Sequence, residues 1–340
     1  MHKNNFDFLR LVFALCVIIT HSYTLTGAAE TDWMHTITNG QVFFSYIGVR
    51  GFFIISGYLI YQSILRTDSI IHYFQNRCLR IFPGLAIVLL LTVIFSFFLY
   101  SGSLSSYLAE KSVWTYFPNN IKLFRLQGTI QGVLETNPYK DDINGSIWTI
   151  QYEFICYILI ASIFFFRKAG LYIVSALAAF FIICNIFFFD FFKPLTFIVF
   201  ISNVIDFSTF FFTGAFLAAI NIVKVKQKNF VIIASLLVLI ISIPLNIFRV
   251  THLLFMPLAV VLIGISSTKY IKDLTSKFGD MSYGIYIYAF LIQQALVYFF
   301  KPDYFALTIY ATLLSIPLGY FSWKFIEKPA LRLKKHSRKI

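Results

Sequence analysis

Arg10 and His21 stand eleven residues apart in the first hydrophobic stretch, FDFLRLVFALCVIITHS. At about 100° per residue, eleven steps return to within roughly 20° of the starting face, so a helix carries both side chains on one side. A rise of about 1.5 Å per residue separates them by roughly 16 Å, half the thickness of a bilayer core. Ionisable groups at such depth are costly and mark functional sites. A neutral imidazole there can take a proton from a hydroxyl. The plainer reading makes His21 the start of a polar helix end, with Ser22, Tyr23 and Thr24 following, and Arg10 a snorkelling anchor. The two residues alone leave both readings open.

Three other segments carry groups with chemistry. Glu153, in NGSIWTIQYEFICY (144–157), falls about one and a half turns inside a span, at the depth expected for His21. A carboxylate there needs a partner, and His21 or an arginine is the obvious one. Arg77 and Arg80, in RTDSIIHYFQNRCLRIFP, face one way on a short helix predicted to stop before Pro83. Such a pair suits anionic headgroups or a phosphate-bearing ligand. In GVRGFFIISGYLI (48–60), the Ser56-Gly57 step permits close helix packing and offers a hydroxyl. Ser56 as a nucleophile with His21 as base lacks the G-x-S-x-G context.

The elements that must position these residues are membrane spans. Of 340 residues, 59% are hydrophobic, 19% aromatic and only 13% charged, and the mean hydropathy is +0.77. A soluble domain of this length needs far more charged surface. The net charge of +13 comes from short basic clusters between apolar runs, which is membrane topology rather than a nucleic-acid face. Apolar spans fall near 8–26, 41–63, 82–101, 147–166, 170–189, 198–221, 229–246, 252–268, 281–300 and 305–326. The interrupted stretch 190–198, with Asp190, Lys193 and Pro194, is the least defined connection. The first span lacks an A-x-A cleavage site and is read as a retained helix.

Ten spans put both termini on one side. With that side cytoplasmic, 20 of the 28 Lys+Arg lie inside, among them Lys3, Lys269, Lys272, Lys277, Lys335, Arg338 and Lys339. The expected fold class is all-α: a polytopic integral membrane protein of about ten transmembrane helices with cytoplasmic termini. It forms one domain over 1–340, with the bundle at 8–326 and a basic cytoplasmic tail at 327–340. One long extracytoplasmic loop, about 102–145, is aromatic enough to fold back as a lid with a helical piece. Cys16, Cys156 and Cys184 lie in apolar runs and Cys78 in a basic loop, so no disulfide framework is expected. No Cys/His spacing suits a metal. His2, His35, His72, His252 and His336 are scattered at predicted helix ends or loops.

Taken in order, six segments resemble the membrane acyltransferase-3 family. They are Phe6-Asp7-Phe8-Leu9 with the Arg10-to-His21 spacing, Phe52-Phe53-Ile54-Ile55-Ser56-Gly57, and Arg77-Cys78-Leu79-Arg80-Ile81-Phe82-Pro83. Asn144-Gly145-Ser146-Ile147-Trp148 with Glu153, Ser282-Tyr283-Gly284-Ile285-Tyr286, and Phe325-Ile326-Glu327-Lys328-Pro329 complete the set across nearly the whole chain. Each is weak singly, and six in order are strong. Two positions depart from the family pattern. Arg50 stands where members often carry an acidic residue, and Tyr288-Ala289 where many place a histidine.

The resemblance implies an integral-membrane O-acyltransferase of the bacterial cytoplasmic (inner) membrane. Acetyl-CoA, or another acyl-CoA, would be its cytoplasmic donor substrate, with no permanently bound cofactor and no metal. The acceptor would be a hydroxyl of a cell-surface or lipid-linked glycan, such as an O-antigen (lipopolysaccharide) or capsule precursor. Under this reading Arg10, Arg77 and Arg80 hold the donor phosphates, and His21 is the catalytic base. Glu153 orients or charge-stabilises His21. Asp7 holds Arg10 from three residues away, and Ser56, Trp148 and Tyr152 are pocket walls. Some relatives carry a soluble hydrolase-like domain; none is present here, so the membrane domain is expected to complete the reaction. The rival classes are a glycolipid transporter or flippase, for which paired repeats and broken helices are missing, and a glycan polymerase, in which the Arg10–His21 spacing has no evident purpose.

Overall fold

A run of about twenty apolar residues can satisfy its backbone in lipid only as a helix or a closed barrel, and this chain takes the first course. The structure is a computed structural model describing residues 4–188, 196–268, 271 and 278–334. In order come α1 (Phe6–Thr26), α2 (Trp33–Ile37), α3 (Phe44–Leu65), α4 (Ile70–Ser96), α5 (Leu104–Ala109) and α6 (Lys111–Asn120). A 3₁₀ segment, Gly145–Thr149, leads into α7 (Ile150–Ile160), α8 (Gly170–Phe188), α9 (Thr196–Ala219), α10 (Lys228–Ser242) and α11 (Phe248–Ile265). Then follow α12 (Ser282–Phe300), α13 (Tyr304–Ser322), a π-helical turn at Trp323–Glu327 and α14 (Lys328–Arg332).

Among the described residues, nine helices are long and apolar enough to cross a membrane, and α10 is a shorter apolar helix at the seventh predicted span. The protein is a polytopic all-α membrane protein. Asp190, Lys193 and Pro194 lie outside the described residues, as do Lys3, Lys269, Lys272, Lys277, Lys335, Arg338 and Lys339 from the charge count.

The third span departs from expectation. No helix stops before Pro83; α4 runs unbroken for 27 residues with Pro83 inside it. Proline removes one ladder donor and crowds the preceding turn, which in membrane helices is tolerated where a neighbour supplies the missing bonds. Close by, Tyr283 of α12 donates its hydroxyl to the Ile81 carbonyl at 2.9 Å, a tie to the neighbouring helix distinct from the Leu79 carbonyl that Pro83 leaves without its ladder donor. The Tyr283 ring lies against Gly84, where a Cβ would come within 2.8 Å of it.

Segment 102–145 folds back onto the bundle. After α5 and α6 it returns as irregular chain, with Ile130, Val133, Leu134 and Ile143 buried. Side-chain amides tie it to α12: Asn137 Nδ2 donates to Gln294 Oε1 at 2.8 Å, and Asn144 Nδ2 to the Ile287 carbonyl at 2.8 Å. Gln294 Nε2 donates back to the Asp142 carbonyl at 2.7 Å. These bonds pair backbone groups that lipid or a dry interior would leave orphaned.

Small residues set the helix spacing. A Cβ at Gly57 of α3 would lie 1.8 Å from the Phe211 carbonyl oxygen of α9, and one at Gly214 of α9 would lie 2.2 Å from the Ile54 carbonyl oxygen of α3. The Ser56-Gly57 step thus does what small residues do between membrane helices: it brings two backbones into contact. α1 packs between α3 and α12, and α13 packs on α12.

Candidate functional site

A cavity of about 500 Å³ opens among α1, α3, α4, α7 and α12. Arg10, Arg77, Arg80, Asp280 and Lys334 line one end, Ser56, Glu153, Tyr157 and Tyr283 the middle, and Phe52, Phe53, Thr149 and Tyr286 the other end. The residues at the first end come from distant parts of the chain, and one carboxylate joins them. Asp280 Oδ2 accepts from Arg10 Nη1 at 2.8 Å and from Arg80 Nη2 at 2.6 Å, while Oδ1 accepts from Ser282 Oγ at 2.5 Å. Burial alone would raise the Asp280 carboxyl, but the Arg10 and Arg80 guanidiniums outweigh it and hold it down at about 2. Arg80 also reaches Glu327 Oε2 at 3.3 Å, and the π-helical turn brings that carboxylate inward, 1% exposed. Asp7 meets Arg10 as expected, at 3.4 Å, a longer contact than the one to Asp280.

Arg77 differs from its two neighbours. None of the ion pairs among the described residues involves it; Nη2 lies 3.5 Å from Ser63 Oγ, and its buried Nε has no partner. Beside it Lys334 is pulled down to about 7, by burial first and then by repulsion from Arg77 and Arg80. Cations gathered this way, with Arg77 Nε unpartnered, suit a phosphate.

His21 does not line this cavity. It lies eleven residues along the same unbroken helix as Arg10, with its ring edge-on to Phe290 of α12 at 4.9 Å, and its buried Nδ1 has no partner. Both residues turn toward α12, since Arg10 meets Asp280 just before that helix starts.

The expected His21–Glu153 pair is not formed. Glu153 Oε1 accepts from Ser56 Oγ at 2.9 Å and from Tyr157 Oη at 2.5 Å. Depth explains the difference. The Ser45 amide bonds Thr20 Oγ1 at 2.8 Å, so the start of α3 is level with His21, and Ser56 lies eleven residues deeper. At about 1.5 Å per residue, that places Glu153 roughly 16 Å from the His21 level, near Arg10. The 3₁₀ turn Gly145–Thr149, extended before α7 begins, carries Glu153 further in than an α-helical count allows. Trp148 and Tyr152 do not line this cavity. They pack on each other and on Phe207 of α9, with centroids 5.3–5.7 Å apart.

The family model described as "Acyltransferase domain" matches residues 3–323. The chain belongs to the membrane acyltransferase-3 family. Among curated relatives, "O-acetyl transferase" of Shigella phage Sf6 is 29% identical, over 96% of each chain. "Nodulation protein 10" of Rhizobium leguminosarum bv. viciae is 26% identical, over 98% of this chain and 94% of its own. No solved structure matches. An acyltransferase is an enzyme that moves acyl groups, and the family match favours that reading over a transporter or a glycan polymerase.

This acyltransferase also holds a second buried polar cluster that spacing did not reveal. Arg50 pairs with Asp206 of α9, and its guanidinium lies 3.3 Å from the Tyr46 ring centroid. Tyr46 Oη meets His252 Nε2 at 2.6 Å, and His252 Nδ1 lies 2.8 Å from the Phe248 carbonyl. A carbonyl only accepts, so Nδ1 carries the proton and Nε2 accepts from Tyr46. His252 is therefore no solvated helix-end histidine; it is 1% exposed inside α11. Its side-chain partner Tyr46 comes from α3, some two hundred residues away in sequence, and no local pattern announces it.

Proposed function

We propose that this acyltransferase moves an acetyl group from acetyl-CoA to a hydroxyl of an extracytoplasmic or lipid-linked cell-surface polysaccharide, in the bacterial cytoplasmic membrane. The observation that carries the reading is the cation-lined end of the cavity. Arg77, Arg80 and Lys334 offer donors to the phosphates of a CoA, and the positive-inside count puts that end on the cytoplasmic side. The pantetheine arm then lies along the cavity toward its aromatic end, and His21 stands beyond it in the direction of the acceptor. The relative named "O-acetyl transferase" supports acetyl as the group moved.

In the transfer the acceptor oxygen attacks the thioester carbonyl, the new C–O bond replaces the C–S bond, and CoA leaves as the thiol. His21 takes the hydroxyl proton and returns it to the departing sulfur. Glu153, held by Ser56 and Tyr157, fixes the cavity wall along which the arm lies.

Membranes carrying the protein, incubated with acetyl-CoA labelled in the acetyl group, are expected to pass label to polysaccharide in a form released by mild base. His21→Ala should insert normally and lose the transfer by a factor of about 10² or more. Unaltered labelling by that variant removes His21 from the chemistry; no labelling by the wild type removes the reading.

A further inference from the structure

Aromatic rings narrow the far part of the cavity, with Val49 lining it one turn beyond Phe52. Phe52 of α3 and Tyr286 of α12 both line it and meet edge to face, with centroids 5.6 Å apart. Thr149, at the end of the 3₁₀ segment, shares a 2.7 Å hydrogen bond with Tyr286 Oη and pins the phenol in place. Phe52 is backed by Phe13 of α1 at 6.0 Å. Phe13 in turn fills the notch left by Gly51, where a Cβ would come within 2.3 Å of its ring. One turn further along α12 is Phe290, with His21 against it. Rings on two successive turns of α12, Tyr286 with Phe52 and then Phe290, therefore stand between the arginine-lined end of the cavity and the imidazole.

We propose that Phe52 and Tyr286, braced by Thr149, are the acyl stop of the enzyme: the acyl group of the bound donor ends on their faces, so a two-carbon group fits and longer chains are refused. The proposal deepens the acetyl-transfer reading and rests on it. Of the cations that hold the donor's polar end, Arg80 is anchored by Asp280 and Glu327 and resists an outward shift. Extra methylenes therefore have to press on the rings. Phe13, seated in its notch, blocks retreat of Phe52, and the Thr149 bond resists rotation of Tyr286. A methylene that a closed apolar pocket cannot accept lowers kcat/KM by roughly 10- to 200-fold.

The test gives membranes an equimolar mixture of acetyl-CoA and butanoyl-CoA and measures the acetate-to-butanoate ratio released from polysaccharide by mild base. Because the ratio is internal to each sample, expression level does not move it. The wild type should favour acetate by more than about tenfold, and Phe52→Ala should lower that ratio by about tenfold or more. Phe52→Leu, which keeps a branched apolar side chain, should shift it the same way by less, and decides the matter alone if Phe52→Ala does not accumulate. A wild-type ratio near one, or a Phe52→Leu ratio equal to the wild type's, overturns the stop while acetyl transfer stands. Absence of both acids in the wild-type sample overturns the transfer reading together with the stop.

Discussion

Three arginines reach one cavity, yet they do not do the same work. Arg10 and Arg80 share Asp280 between them, and Arg80 has Glu327 as well, so their charge is largely matched within the protein. Among the described residues, no carboxylate pairs with Arg77. Removing Asp280 would leave two buried cations facing each other, a loss of about 3–5 kcal/mol when one member of a buried pair is taken away. Asp280→Ala should accordingly lower the unfolding temperature in detergent. Arg77→Ala should leave it nearly unchanged and raise the donor KM by about 10- to 100-fold, the worth of one charge-assisted hydrogen bond. Equal loss of stability in the two variants would contradict this division. The sign of the pH effect follows from the same pair. The Asp280 carboxyl sits at about 2 when folded and near 3.9 when unfolded, so its contribution is complete above about pH 4 and is lost as pH falls toward 2. Stability from this source is flat across neutral pH. The Arg10–His21 and Arg77–Arg80 spacings were legible because helical period places them. Asp280 and Glu327 were not assigned a role, because their partners are 200–270 residues distant in sequence.

At the scale of elements, hydrophobic runs alone located all ten apolar helices, since length and apolarity are what lipid selects. Two features went astray for reasons that only packing supplies. Pro83 reads as a stop, yet α4 continues through it, with Tyr283 of α12 packed and bonded alongside at Gly84 and Ile81. Glu153 meets Ser56 and Tyr157 rather than His21, and the 3₁₀ rise of Gly145–Thr149 adds only about 2.5 Å of that depth, so the rest is set by how the segment enters the bundle. The Ser56-Gly57 step was read correctly as close packing, though its partner α9 was not foreseen. That contact is reciprocal, Gly57 against Phe211 and Gly214 against Ile54, so each glycine admits the other helix's backbone. A methyl group at Gly214 meets a carbonyl oxygen that belongs to a helix and cannot rotate away. Gly214→Ala should therefore push α3 from α9 and cost about 1–3 kcal/mol, read as a lower unfolding temperature. Because Ser56 and the cavity wall ride on α3, donor KM should rise in the same variant. A melting curve identical to the wild type's would show that the two helices separate without penalty.

Across the whole molecule, the cavity is where widely separated parts of the chain meet: Asn4, Asp7 and Arg10 on one side, Trp323, Leu331 and Lys334 on the other. This closure gives the enzyme a pH response that can be worked out in sign. Burial, with Arg77 and Arg80 beside it, holds the Lys334 amine at about 7, well below a free lysine near 10.4. Below pH 7 it is an ammonium and attracts the donor's phosphates; as pH rises past 7 that attraction fades, so donor KM should climb between pH 6 and 8. The empty protein must respond in the opposite sense. Between about pH 7 and 10 the unfolded chain holds one proton more than the folded one, and stability rises with pH over that window. A ligand that binds through the ammonium and a fold that prefers the neutral amine are thus in opposition, and few other residues would give both trends. Lys334→Met, which keeps the length of the side chain without the amine, should flatten both curves together. If donor KM in that variant still rises from pH 6 to 8 as it does in the wild type, the phosphates are held elsewhere and the cavity's cationic end is not the donor's seat.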